Sequence, residues 1–173
     1  MSTTDDAEPP DDAEARGLAM LADASAAIRS GVAREVPGWV VRQVARILDA
    51  WGRADATTRE RALTDARTAG GAAAARVGAA LDDLLAADPA DQRSTPLEVV
   101  RTAYREPTEI LRAAGVPEVA RDAFDERAWP DDVYGLVPRT LGDLGDDDLA
   151  PLLLVWGTAK ATVLRARAAR EAR

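Results

Sequence analysis

A helical fold is close to obligatory for a chain whose apolar residues are largely alanine and which has almost no aromatic side chains. Hydrophobic residues fill 47% of the 173 positions, alanine supplies much of that share, and aromatics make up only 4%. Alanine and arginine are strong helix formers, whereas valine, isoleucine and tyrosine are too sparse to furnish several strands. Alanine also buries little area, so a core built on it gains less per residue than one of leucine and phenylalanine. Close helix–helix approach suits this composition better than a thick sheet sandwich. The expected fold class is all-α, a bundle of about six or seven helices behind a disordered acidic tail.

Residues 1–12 are polar, acidic and proline-containing, which marks the tail, and residues 13–173 read as a single helical domain. From near Asp12, Leu18, Leu21, Ser25, Ile28 and Val32 recur at spacings of three and four, the stripe of an amphipathic helix. Pro37 and Gly38 punctuate, and a second helix carries Val40, Val44, Ile47 and Trp51 as far as Gly52. Thr57 or Thr58 is placed to cap a third helix. Its stripe of Leu63, Ala66, Gly70, Ala73, Val77, Ala80 and Leu84 follows a heptad of small residues. That helix is expected to continue across Gly70–Gly71 and to end at Asp88–Pro89.

Residues 13–88 are thus long, low-diversity helices, and residues 95–160 are a cluster of short ones. Thr95–Pro96 opens the first of these, Glu106–Pro107 interrupts it, and Gly115 closes the next. Pro117 begins a further helical stretch towards Trp129, and a loop follows. Asp147 or Asp148 caps the final helix, which starts apolar on every side and is expected to bury its front half. Residues 161–173 are its basic, solvated end.

Composition also narrows function. There is no histidine and no cysteine, and all 22 cationic side chains are arginine except Lys160. The usual general base near neutral pH, the soft metal ligands and every thiol nucleophile are therefore missing. A net charge of −8 argues against whole-domain binding to nucleic acid. No uninterrupted apolar run of about 18 residues occurs, so no membrane span is expected. The acidic start does not resemble a secretory signal, which with the lack of cysteine leads to a cytoplasmic expectation. GxGxxG and GxxxxGK are both missing, so no cofactor is implied.

The phrases TPLEVVRTAYREPTEILRAAGVP, WPDDVYGL and VWGTAK, between Thr95 and Lys160, resemble a family of small hypothetical helical proteins from GC-rich bacteria. The resemblance implies that residues 95–160 are a shared unit, and it brings no activity with it.

Four groups of residues are candidate sites. Asp143, Asp146, Asp147 and Asp148 lack the spacing of a calcium loop and suit helix capping, so no metal site is expected. Glu106 and Glu109, then Asp122 and Asp125, form two pairs spaced three apart, similar to the paired carboxylates with which all-α nucleotide pyrophosphohydrolases hold Mg²⁺. Trp129, Asp131, Asp132 and Tyr134 share a loop, either as an acidic aromatic surface for a cation or peptide arginines, or as core plug and turn. Trp156 and Lys160 lie four apart on one helix face, either as a reactive lysine or as ordinary packing. The C-terminal arginines meet anionic lipid, nucleic acid or the molecule's own acids, and they form a weak nucleic-acid signal.

The reading these features support best is a non-enzymatic interaction module for a protein partner or for itself. Contact would run through the alanine–glycine seam of the third helix or the loop around Trp129, with Arg101, Arg105 and Arg112 as a charged rim. The alternative is a Mg²⁺-dependent nucleotide pyrophosphohydrolase using Glu106, Glu109, Asp122 and Asp125.

Overall fold

The computed structural model describes residues 9–119, 129 and 131–172. Among these the chain is all-helical, with no strand. Helix α1 is Pro10–Trp51 and α2 is Ala56–Ala86. Helix α3, Pro96–Arg101, runs through a 3₁₀ turn at Thr102–Tyr104 straight into α4, Arg105–Ala113. Two further 3₁₀ turns, Leu141–Leu144 and Asp147–Leu149, lead to α5, Leu152–Glu171. The described helices therefore form four rods rather than six or seven, because two expected breaks do not occur and the helix expected from Pro117 lies mostly outside the described residues.

Pro37 is the first of these. It sits inside one helix of 42 residues instead of separating two. An interior proline forfeits a backbone hydrogen bond and costs about 3 kcal/mol. Ile28, Val32, Val36, Val40 and Val44 hold one unbroken phase across it, each at 0% exposure. Burying such side chains contributes about 1.5–3 kcal/mol apiece, so keeping the stripe in register outweighs the lost bond. Pro107 is the second break that fails to appear. It falls at the third residue of α4, directly after the 3₁₀ turn, and the rod continues through it.

Local chemistry sets the ends. Proline at the first position opens α1, and Gly52, with φ of 64°, closes it by donating its N–H to the Leu48 carbonyl at 3.0 Å. Asp55, not Thr57 or Thr58, caps α2 by accepting the Thr58 N–H at 2.7 Å. Thr95 and Glu98 form a reciprocal capping box on α3. Gly115, with φ of 75°, turns the chain after α4, and the Val116 N–H returns to Leu111 at 3.0 Å.

Helix α1 packs along both α2 and α5, and the α3–α4 rod lies against α2 and α1. Buried side chains from Leu21 to Ala159 join in one connected cluster. The buried line of α2 is Ala62, Ala66, Gly70, Ala73, Val77 and Leu81, so it drifts off the expected heptad, which would have buried Ala80. The small residues serve the approach to α1: a Cβ built on Gly70 would stand 2.7 Å from the Pro37 carbonyl oxygen. On the other side, a Cβ on Gly17 would lie 2.9 Å from Val163 of α5.

Candidate functional site

The first carboxylate pair diverges. Glu106, with its side chain 15% exposed, turns inward to an ion pair with Arg76 of α2, while Glu109, 71% exposed, pairs with Arg112 at 3.0 Å on the surface. The hydrogen bond from Arg76 to Glu106 raises the arginine pKa still further. The Oε2 atom of Glu106 is buried and finds no protein donor among the described residues. Asp122 and Asp125 lie outside the described residues, as does the helical stretch expected between Pro117 and Trp129 from residue 120 onward. Among the described residues no group of three or more potential ligand side chains is arranged to hold a metal ion.

The loop residues have internal roles. Trp129 meets Tyr104 edge to face, with ring centres 6.0 Å apart and an interplanar angle of 69°. Tyr134 is 4% exposed and donates its hydroxyl proton to the Val116 carbonyl at 2.8 Å. Burial pushes its phenol pKa up, with Glu118 adding to the shift. Asp132 accepts the Leu136 N–H at 2.5 Å and the Val137 N–H at 3.1 Å, which fixes the turn after it. Asp131 is exposed.

On α5, Lys160 stands 5.2 Å from the centre of the Trp156 ring and donates to the Gln92 carbonyl at 2.8 Å. Gln92 in turn donates its side-chain amide to Ala87 at 3.1 Å. The only lysine of the chain therefore ties the final helix to the linker between α2 and α3.

The aspartate run also works locally. Asp143 accepts the Arg139 N–H at 2.7 Å and the Thr140 N–H at 3.0 Å, and Asp146 accepts the Asp148 N–H at 3.0 Å. Arg34 of α1 pairs with Asp146, and Arg42 donates to the Leu144 carbonyl, so this loop is clamped onto α1. The basic end of α5 folds back in the same manner. Arg167 bridges Glu14 at 2.8 Å and Asp88 at 2.7 Å, and Arg170 reaches Glu14 at 2.9 Å. The hydrogen bond from Arg167 is the leading cause that holds both carboxyls below their ordinary pKa values.

One surface remains that the sequence reading did not anticipate. The front of α5 was expected to be buried, yet Leu154 is 75% exposed and Val155 40% exposed. Trp156, Ala159, Val163 and Ala166 form the buried side of this helix. Along the opposite side, Leu154, Gly157, Thr158, Ala161 and Arg165 follow at helical spacing and, with Leu153 and Ala150, line a shallow groove of about 560 Å³. A Cβ on Gly157 would meet nothing within 4 Å. The stretch Asp147–Glu171 has a window of mean hydropathy 1.2 that is only 28% buried, long and apolar enough by length and composition to cross a membrane. The signal for this surface was the run LLLVWG, apolar on every side of the helix with an isolated glycine beside it.

No known protein family, curated protein or solved structure matches the chain.

Proposed function

We propose that this chain is a non-enzymatic helical interaction module whose contact surface is the outward face of α5. The observation that carries the reading is Leu154, 75% exposed in the first turn of α5 at the head of an apolar face. Scattered exposed leucines are ordinary, but a contiguous apolar groove flanked by charge is the usual mark of a contact site. The other candidate surfaces are occupied from within. The alanine–glycine seam of α2 faces α1 at Gly70, and the loop aromatics Trp129 and Tyr134 contact Tyr104 and Val116.

Glu106 held by Arg76, with Glu109 turned outward, favours this reading over Mg²⁺-assisted polyphosphate chemistry. Mg²⁺-dependent hydrolysis of a nucleotide, lost on Glu109→Gln, would instead support the enzyme reading. The direct test is a photo-crosslinking side chain placed at Thr158 and, as a control, at Gly71 on the open face of α2. Adducts formed from position 158 and not from 71 support the interaction surface. Equal labelling at both positions, or none, contradicts it.

A further inference from the structure

We infer that the occupant of the α5 groove is a second copy of this chain, bound through an antiparallel α5–α5 contact. The inference rests on the interaction reading above and names its partner.

The first argument is shape. Leu154, Gly157, Thr158 and Ala161 share the outward face, so an antiparallel two-fold axis passing between Gly157 and Thr158 sets Leu154 of each copy opposite Ala161 of the other. The large side chain of one helix then enters the hollow above the small residues of its mate. An isologous contact of this kind is self-complementary and closes at two subunits. Gly157 adds weight: a mid-helix glycine costs about 1 kcal/mol against alanine, and nothing inside the protomer crowds it. Its value lies in letting another backbone come close.

Charge is the second argument. Arg165 lies at the far end of the groove, and Asp147 and Asp148 lie one turn before Ala150 at the near end. All three are exposed, and none has an ion-pair partner among the described residues. The same axis places Arg165 of one copy opposite Ala150 of the other, within a turn of both aspartates. The contact thus has an acid–base clamp at each end. This pattern also disfavours an anionic lipid surface as the occupant, since the exposed aspartates at one end repel anionic headgroups.

Sedimentation of the full chain over a concentration series tests the inference. The wild type is expected to dimerise at micromolar concentration, and Leu154→Glu to raise the dissociation constant by at least about 100-fold, with unchanged circular dichroism. Arg165→Glu is expected to weaken the dimer about tenfold, and addition of Asp147→Arg and Asp148→Arg to restore it. A wild type that stays monomeric at about 1 mM overturns the inference. So does a dimer indifferent to Leu154→Glu, or a monomer that floats with zwitterionic lipid vesicles through Leu154. A monomer that still gives heterologous adducts from position 158 overturns the second-copy inference while leaving the interaction reading standing. A monomer without such adducts removes both.

Discussion

Gly70 of α2 lies against the backbone of Pro37 in α1, so close that a Cβ there would stand 2.7 Å from the proline carbonyl oxygen and 3.0 Å from its Cα. Pro37, expected from the sequence to separate two helices, and Gly70, expected to lie inside one, thus meet at a close approach of α1 and α2. The neighbouring Gly71 faces open space.

Gly70→Ala and Gly71→Ala should consequently act with opposite sign. At Gly70 the added methyl meets backbone that cannot swing aside, and overpacking of this kind costs about 1–3 kcal/mol. At Gly71 alanine gains helix propensity of about 1 kcal/mol with no clash. Urea denaturation of the two variants checks this, with the midpoint falling for the first and rising for the second.

Acid should loosen the link between the chain's two ends. Glu14 and Asp88 have native pKa values below the ordinary 4.5 and 3.8, chiefly through hydrogen bonds from Arg167. Groups depressed in the folded state contribute stability that is complete above the ordinary values and is lost as pH falls through the lower native ones. The denaturation midpoint should therefore drop across that acidic window in the wild type. Arg167→Ala should flatten this part of the profile, and high salt should do the same in smaller measure.

Asp131 and Asp132 are adjacent acids with different jobs. Asp132→Ala strips the Leu136 and Val137 N–H groups of their acceptor and should destabilise the fold by about 1–3 kcal/mol. Asp131→Ala, at an exposed position, should change stability by less than about 0.5 kcal/mol. Tyr134→Phe, losing the bond to Val116, should cost about 1 kcal/mol. Thermal unfolding of the three variants distinguishes them.

Leu154→Glu should leave protomer stability within about 0.5 kcal/mol of wild type, because the side chain is 75% exposed. Val163→Ala, on the buried side of the same helix at 0% exposure, should lower stability by about 1–3 kcal/mol. Measured in dilute solution, the pair separates a surface residue from a core one.

Features written in neighbouring residues were legible in the sequence. The Thr95 cap before Pro96 and the Gly52 stop follow from local backbone chemistry, and the continuity of α2 through Gly70–Gly71 follows from the unbroken phase of its small-residue stripe. Pro37 is misleading in the sequence because its local cost is plain, while the offsetting burial of Val36 and Val40 comes from segments distant in the chain. The candidate carboxylates and Lys160 looked free for the same reason. Arg76 lies 30 residues from Glu106, and Gln92 lies 68 from Lys160, separations that no short pattern encodes. The outward face of α5 was hidden by its own composition, since a helix apolar all round does not say which side is covered.

The most direct test of the α5 contact exploits the lack of native cysteine, which makes Thr158→Cys a unique thiol. The rate at which a soluble maleimide modifies it can be followed as protein concentration rises. The proposed contact predicts increasing protection, abolished when Leu154→Glu is added. A labelling rate that is fast and independent of concentration would contradict it.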